Sequence, residues 1–331
     1  MSKLQLSLAC TQTDRAAPIL DGRIAIEGCE IIAFPGQTQD IFRRVLSDQA
    51  FDIAEMSMSS HVMQVARGVD DYVAIPVYLS RVFRHSAVYI RTDKGIASPY
   101  DLRGKTIGIE QYQQTVGLWV RGILSDQYGV TTRDVNWRTG GLERPGGGER
   151  LALTLPEGIN VNPIPVHETL NGMLLSGELD VAITSRPPPC FTKGDPHIKR
   201  LFSDYRADEL AYYKVSRIFP IMHCVVIRRS LVDRHPWLPA EVFRAFVKTK
   251  EHAIKELSLE NIARVTLPWV SESVAEIVAT LGKNFWPYGL PESRHEIAAL
   301  LRYSRNDGLI DRDLMPEDVF HPSTHELPDK I

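Results

Sequence analysis

Apolar residues along the chain follow two periods, one typical of buried strands and one typical of amphipathic helices. Short apolar runs predict strands at residues 4–9, 24–34, 51–56, 87–90, 105–110, 179–183 and 219–227. Between and after them, apolar positions spaced by three and four predict helices, the longest at residues 242–257. Strands that alternate with helices in this way are typical of an α/β fold.

Capping residues predict where several helices begin. Thr38 precedes an apolar pattern of helical spacing, so it is expected to cap that helix. Ser273 with Glu276, and Ser293 with Glu296, have the spacing of capping boxes and are followed by apolar positions three and four apart. These pairs predict two further helix starts near the carboxyl end of the chain.

The length of 331 residues exceeds what one ordinary hydrophobic core holds, so two lobes are expected. The apolar run at 219–227 suits a buried strand that crosses back to the first lobe. We therefore predict a discontinuous lobe 1 of residues 1–95 and 222–331, and a lobe 2 of residues 96–221.

Composition narrows the function classes. With 44% hydrophobic residues, 24% charged residues and a net charge of −3, the chain has no general attraction to nucleic acid or to anionic membranes. The four cysteines are scattered without zinc or dithiol spacing, which favours buried free thiols in a reducing cytosol. Too few apolar residues precede Cys10 for a signal peptide, so a cytoplasmic protein is expected.

Three serines follow the strand at 51–56, which itself carries Glu55. Ser57, Ser59 and Ser60 stand where a strand ends and a helix begins, the place at which ligands bind in open α/β sheets. Free backbone N–H groups at the helix start also favour an anion there. Capping accounts for one serine, and the other hydroxyls are available for a carboxylate.

A second strand end repeats this arrangement. Glu110 closes the strand at 105–110, and Gln111 and Thr115 stand at the start of the next helix. The Gly104-Lys-Thr triplet before it is not a phosphate loop, because Pro99 occupies the position of the leading glycine. Two such strand ends facing each other would form a cleft for an anion with two acidic ends.

Cationic side chains supply further candidates. Arg81, Arg84 and His85 share one side if their segment turns tightly, whereas Arg81 and His85 share a face if it is extended. A solvated basic loop is the alternative. Arg186 follows the strand at 179–183, with a surface arginine as the alternative, and His223 lies inside the apolar run at 219–227, where a core histidine is the simpler interpretation.

Together these segments give the chain a resemblance to a known family. It resembles the type II periplasmic-binding-protein fold and, within it, the cytoplasmic 4,5-dihydroxyphthalate decarboxylases. The resemblance covers nearly the whole chain and rests on residues 51–60 (FDIAEMSMSS), 83–86 (FRHS), 101–108 (DLRGKTIG), 119–122 (WVRG), 177–180 (GELD) and 235–237 (HPW). It implies two lobes with a ligand cleft between them, and loss of one carboxyl group from 4,5-dihydroxyphthalate to give protocatechuate without an organic cofactor.

The required chemistry assigns roles to the candidate residues. Bidentate pairing suits Arg81, Arg84 and Arg186 for two carboxylates. Proton transfer falls to His85, Glu55 or Glu110, with His85 preferred because its pKa lies nearest working pH. The remaining candidates contact the substrate, namely Ser57, Ser59, Thr115, Gln111 and His223.

The expected partner is thus a small aromatic dicarboxylate, with no metal ligand set, no nucleic acid and no membrane. A homo-oligomer is left open. A solute-binding receptor for an aromatic acid, and a cytosolic ligand-sensing or thiamin-pyrimidine-type module, are the alternative functions. The irregular loop at Gly140–Gly148 does not fit a phosphate cradle, and its role stays open.

Overall fold

The computed structural model of the chain describes residues 3–259, 261–262 and 264–330. They form two compact units. Unit 1 comprises the described residues up to Arg81, Ile221–Ile297 and those from Leu314 onward, and unit 2 comprises Val82–Pro220 and Ala298–Asp313. The predicted lobes place residues 82–95 and 298–313 in lobe 1 instead, and those lobe boundaries stay a prediction.

In chain order, the strands are β1 (Leu4–Cys10), β2 (Cys29–Pro35), β3 (Ile53–Ser57), β4 (Tyr72–Arg81), β5 (Val88–Arg91), β6 (Thr106–Ile109), β7 (Asn136–Thr139), β8 (Val161–Pro163), β9 (Val181–Ile183), β10 (Ile198–Arg200) and β11 (Ile221–Arg228). The helices are α1 (Ala17–Leu20), α2 (Thr38–Asp48), α3 (Met58–Ala66), α4 (Thr115–Tyr128), α5 (Leu170–Ser176), α6 (Pro189–Thr192), α7 (Tyr205–Ser216), α8 (Arg229–Arg234), α9 (Leu238–Leu257), α10 (Val270–Leu281) and α11 (Leu290–Asn306). Short 3-10 turns lie at His85–Ala87, Pro99–Leu102, Pro316–Val319 and Pro322–Thr324.

Unit 1 is built on a five-stranded sheet with the order β2-β1-β3-β11-β4. Strands β2, β1 and β3 are parallel, while β11 runs antiparallel to both of its neighbours. Every residue of β3 is buried, as expected for a central strand with helices α2 and α3 packed nearby. The carboxyl ends of β1 and β3 therefore meet the start of β11 at one edge.

Unit 2 is built on a six-stranded sheet with the order β10-β5-β9-β6-β7-β8. Strands β9, β6, β7 and β8 are parallel, and β5 pairs antiparallel with both β9 and β10. This pairing holds residues 88–91 in unit 2. The carboxyl ends of β6, β7 and β9 lie at one edge, so Glu110, Gly140 and Thr184 follow at that edge.

The structure confirms the predicted strands at 4–9, 51–56, 87–90, 105–110, 179–183 and 219–227, with ends shifted by a residue or two. The pattern at 24–34 forms a strand only from Cys29. The helix predicted at residues 242–257 is confirmed too, since it lies within α9, and Phe243, Phe246 and Val247 are buried in the core. All four cysteines are buried and free, as expected.

The predicted capping residues are wrong. Helices α10 and α11 begin at Val270 and Leu290, three residues before Ser273 and Ser293, so neither serine is a cap. Thr38 is the first residue of α2 and Gln37 precedes it as the N-cap, without a side-chain capping bond. A capping box is a local pattern, and at Ser293 a long-range contact with Arg81 decides the environment instead.

Among the described residues, none of the helices combines the length and the hydrophobicity required to cross a lipid bilayer.

Candidate functional site

A buried carboxylate and a histidine are hydrogen-bonded at the carboxyl edge of the unit 1 sheet. Glu55 lies on β3 and His223 near the start of β11, and the His223 Nδ1 to Glu55 Oε1 distance is 2.7 Å. Because an ionised carboxylate only accepts hydrogen bonds, Nδ1 carries the proton of this hydrogen bond. The histidine side chain is 19% exposed, whereas that of Glu55 is only 2% exposed. One ring nitrogen is thus anchored while part of the ring remains accessible.

Neighbouring groups keep Glu55 charged. Burial alone would raise the pKa of Glu55, but the hydrogen bonds from His223 and from the backbone amide of Thr11 lower it below its ordinary value. The Thr11 amide donates to Oε2 at 2.8 Å. Thr11 follows β1, so the parallel ends of β1 and β3 jointly hold this carboxylate. Sequence analysis missed Thr11, although it obeys the same strand-end rule as the serines.

The ring of His223 is held from the side as well. Phe42 of α2 meets it edge-on, with ring centroids 4.9 Å apart. In the strand register, His223 lies opposite Ser57 on one side and Ser80 on the other, within a stretch where the ladder of β11 and β4 is irregular. Such irregularities re-aim side chains near functional sites.

The serines at the end of β3 are buried. Ser57 is the N-cap residue of α3, but its side chain makes no capping hydrogen bond, so the expected capping role is wrong. Its hydroxyl lies 3.3 Å from that of Ser59. Both hydroxyls share the strand end with Glu55, as predicted from the sequence.

Unit 2 brings together a second set of charged groups at the carboxyl edge of its sheet. Arg186, half exposed after β9, has its Nη1 3.6 Å from Glu110 Oε1 and its Nη2 3.1 Å from Glu143 Oε1. Burial raises the pKa of Glu110, although the charges of Arg186 and Arg150 oppose this. Burial also lowers the pKa of Arg150 to about 10.

The glycine-rich loop holds the start of α4. At its end, Glu149 accepts hydrogen bonds from the backbone amides of Tyr112 at 2.6 Å and Gln113 at 3.3 Å. Gln111 donates its side-chain amide to the Gly148 carbonyl at 2.6 Å. Gln111 is therefore fixed beside Thr115, the first residue of α4, by a loop whose role the sequence left open. Glu143, Glu149 and Arg150 were missed because the loop has no period from which to place them.

The boundary between the two units falls within the predicted cationic cluster. Arg81 belongs to unit 1, where its buried guanidinium donates to Ser293 Oγ at 2.8 Å and the Pro287 carbonyl at 2.9 Å, and pairs with Glu296 at 3.3 Å. Arg84 and His85 belong to unit 2. The shared face expected for these three side chains stays a prediction, since the unit boundary follows Arg81.

His85 is enclosed by aromatic rings. It is 2% exposed and lies edge-on to Phe202 at 4.9 Å and tilted against Tyr212 at 5.4 Å. Burial lowers its pKa to about 4, an effect that Gln127 only partly offsets. Burial also lowers the pKa of the neighbouring Arg84, to about 10, against the charge of Glu209. This burial favours the neutral imidazole of His85 at neutral pH.

No three His, Cys, Asp or Glu side chains within residues 3–259, 261–262 and 264–330 are grouped to share a metal ion.

Two curated relatives resemble the chain over most of its length. It is 40% identical over 326 residues to the 4,5-dihydroxyphthalate decarboxylase of Comamonas testosteroni, covering 98% of this chain and 99% of that protein. The chain belongs to the 4,5-dihydroxyphthalate decarboxylase family. The decarboxylase of the same name from Pseudomonas putida is 42% identical over 214 residues, which cover 65% of this chain and 83% of the relative. No protein-family model matches the chain.

Solved structures place this decarboxylase family member in a known fold. The periplasmic aliphatic sulphonate binding protein SsuA of Escherichia coli superimposes with a TM-score of 0.53 at 12% identity, covering 100% of this chain and 96% of that chain. A putative periplasmic sulfonate-binding protein SsuA from Methylobacillus flagellatus gives 0.53 at 14% identity, covering 97% of this chain and 92% of that chain. The predicted periplasmic-binding-protein-like α/β fold is confirmed.

Replacement of Arg81 by Met in this family member should destabilise unit 1. The change leaves the buried Glu296 carboxylate unpaired, which costs roughly 3–5 kcal/mol of unfolding free energy. Adding Glu296→Gln should recover part of the loss. Urea unfolding followed by circular dichroism measures both.

Arg294→Met is the matched control for Arg81→Met, because Arg294 lies on α11, the helix that carries Glu296. Arg294 and Glu317 form a pair in which both side chains are more than a third exposed, so this change should cost less than about 1 kcal/mol. If Arg81→Met raised KM for the substrate while leaving stability intact, Arg81 would be a substrate ligand rather than a structural group.

His85 should make stability depend on pH. Between the unfolded pKa of 6.5 and the folded value of about 4, the unfolded chain binds a proton that the folded chain does not, so stability falls as the pH is lowered. From pH 7 to pH 5 the loss is about 2 kcal/mol. In urea unfolding at several pH values, His85→Phe should remove this part of the pH dependence of the unfolding free energy. His197 is an exposed residue in the same unit, so His197→Phe should keep the pH dependence of the wild type. The same pH dependence for all three proteins would contradict the assignment to His85.

Proposed function

We propose that the protein removes one carboxyl group from 4,5-dihydroxyphthalate as CO2 and releases protocatechuate, as a carboxy-lyase of phthalate degradation. Family membership over nearly the whole chain supports this reaction. The observation that carries its chemistry is the hydrogen bond between Glu55 and His223 at the sheet edge of unit 1. A cytoplasmic location fits the four buried free thiols.

The substrate supplies its own electron sink. Each carboxylate lies para to a hydroxyl, so loss of the phenolic proton drives electron density onto the ring carbon that bears the carboxylate. That carbon takes a proton and the ring becomes a dienone. The C–C bond to the carboxylate then breaks, its electron pair restores the phenolate, and CO2 leaves. The protein must accept one proton from oxygen and deliver one to carbon.

His223 is proposed to accept the phenolic proton. Its Nε2 is the basic nitrogen because Glu55 holds the proton on Nδ1, and the charged carboxylate stabilises the imidazolium that forms. Glu55 acts through His223 as a positioning residue, itself fixed by the Thr11 amide. The hydroxyls of Ser57 and Ser59 are proposed to orient the aromatic ring of the substrate.

Glu110 is proposed as the source of the ring proton. At the sheet edge of unit 2, three carboxylates outnumber the two guanidiniums of Arg186 and Arg150; they belong to Glu110, Glu143 and Glu149. A substrate carboxylate is therefore accommodated best when one of these three glutamates is protonated. Burial raises the pKa of Glu110, which favours its acid form. Arg186 and Arg150 are then the groups that recognise the substrate carboxylates, with Gln111 and Thr115 beside them.

The reaction is tested by incubating the purified protein with 4,5-dihydroxyphthalate in deuterium oxide. We expect protocatechuate with one deuterium on the carbon that lost CO2, detected by mass spectrometry and NMR. Saturable binding of the diacid without any product would instead make the protein a binding protein for aromatic acids.

His223→Ala should lower kcat by roughly 10²–10⁴-fold, the usual contribution of a positioned general base. Glu55→Gln should lower kcat within the same range, because the neutral amide no longer stabilises the imidazolium. KM should change little for either variant, since the carboxylates are held elsewhere. Stopped-time product assays at matched folding by circular dichroism measure both parameters.

His85→Phe is the matched control for these variants, because it removes a histidine that is buried rather than accessible. Its kcat should stay within a few-fold of wild type. A large loss for His85→Phe with near-normal activity for His223→Ala would transfer the proton-transfer role to His85.

A further inference from the structure

Unit 2 contains a polar cavity that the proposed reaction does not use. Its volume is about 380 Å³, and its polar lining includes Arg121, Ser125, Arg133, Arg305 and Asp307. Small-molecule sites in proteins start at roughly 300 Å³, so the cavity is large enough for a small metabolite. We call it the Arg121 cavity.

The residues that line the Arg121 cavity differ from the proposed substrate-binding groups of unit 2. Arg121 lies in the middle of α4, Ser125 in its second half, and Arg133 in the loop that leads into the amino end of β7. Glu110, in contrast, follows the carboxyl end of β6, which is parallel to β7. Arg133 is therefore at the sheet edge opposite to Glu110, whereas the Arg121 guanidinium is within electrostatic reach of Glu149.

The lining carries an excess of positive charge. The Arg121 guanidinium is buried, and its Nε donates to Asp307 Oδ2 at 2.5 Å. The negative charge of Asp307 in the lining is therefore already paired. Its Nη1 and Nη2 are buried and have no hydrogen-bond acceptor among the described residues, although the Tyr112 ring lies 4.1 Å from the guanidinium carbon. Two exposed guanidiniums remain, those of Arg133 and Arg305.

The ion pair that Arg305 forms is weak. Asp313 Oδ1 lies 3.5 Å from its Nε, and the Asp313 side chain is 97% exposed, so solvent screens this pair almost fully. Ser125 and Asn306 add neutral donors to the same lining. Guanidinium forks with nearby hydroxyl and amide donors match the oxygens of phosphates and carboxylates.

A close helix contact shapes the floor of the cavity. Gly122 also lines it, and a Cβ at this position would lie only 2.3 Å from the Tyr303 ring. Arg121 and Gly122 belong to the segment Trp119-Val-Arg-Gly122, one of those on which the family resemblance rests, yet neither residue has a part in the proposed decarboxylation. These two residues of the segment instead line this cavity.

The end of helix α11 opposes the binding of an anion in the Arg121 cavity. Helix α11 ends at Asn306, and the free carbonyls of a helix end carry partial negative charge. The guanidiniums of Arg133 and Arg305 outweigh this half-charge, but it limits affinity. A singly charged ligand would gain little, so the cavity favours a ligand with at least two negative charges.

We propose that the Arg121 cavity is a second ligand site, which binds a small organic or inorganic polyanion that bears phosphate or carboxylate groups. Binding is expected in the millimolar rather than the nanomolar range, because the two outer guanidiniums are exposed to solvent.

The test compares thermal unfolding of the full chain in phosphate and in citrate against chloride at constant ionic strength. The two probes distinguish a phosphate site from a polycarboxylate site. The wild type should show a saturable rise in Tm with one of them. Arg133→Ser with Arg305→Ser should move the midpoint of this rise at least about ten-fold higher in ligand concentration.

Arg206→Ser with Lys214→Ser is the matched control, because it removes two exposed positive charges from α7 of the same unit and should respond like the wild type. Arg186→Ser should also keep the response, which separates this site from the proposed substrate-binding groups. The proposal fails if the wild type shows no saturable rise, if the cavity variant and the α7 control respond alike, or if Arg186→Ser abolishes the effect.

Discussion

Insertion of β11 between β3 and β4 is the constraint on which unit 1 depends. The chain leaves this unit after Arg81 and returns at Ile221, and β11 then pairs antiparallel on both sides. Without β11, β3 would be an edge strand with unpaired backbone groups, and β4 would have no place in the sheet. The same insertion brings His223 to Glu55, 168 residues earlier in the chain. A single backbone pairing thus completes the sheet and brings the hydrogen-bonded Glu55 and His223 together.

Sequence patterns predicted the parts of the fold in which local and global forces agree. Strands such as β3 and β9 are buried on both faces, so their continuous apolar runs identify them directly. Helix starts were predicted poorly, because a serine followed by a glutamate three residues later has the same spacing in a cap and inside a helix. At Ser293 and Glu296 both side chains serve the buried Arg81 guanidinium instead. That demand comes from a residue more than 200 positions away and leaves no local signal.

The candidate site, like the fold, contains features that local sequence patterns predict and features that they do not. Glu55, Ser57, Glu110 and Gln111 were found because the carboxyl edge of a parallel sheet is fixed by topology, and a strand end can be recognised locally. The partnership of His223 with Glu55 depends on strand register, which one sequence does not reveal. The three residues of the cationic cluster are neighbours in sequence, but a unit boundary separates Arg81 from Arg84 and His85. Adjacency along the chain carried no information about which environment each side chain enters.

Burial distinguishes His85, which the sequence offered for proton transfer, from His223, which it offered as a substrate contact. An imidazole that is 2% exposed among aromatic rings, as His85 is, must lose its hydration to hold a charge, and nothing nearby with a negative charge compensates it enough to keep its pKa near neutrality. His223 loses part of its hydration too, but a buried carboxylate bonded to Nδ1 replaces it, while 19% of the side chain stays accessible. The proposed proton-transfer role of His223 rests on both conditions, a compensated charge and a partly accessible ring. Identical side chains therefore differ in chemistry because of what the fold places on each side of the ring.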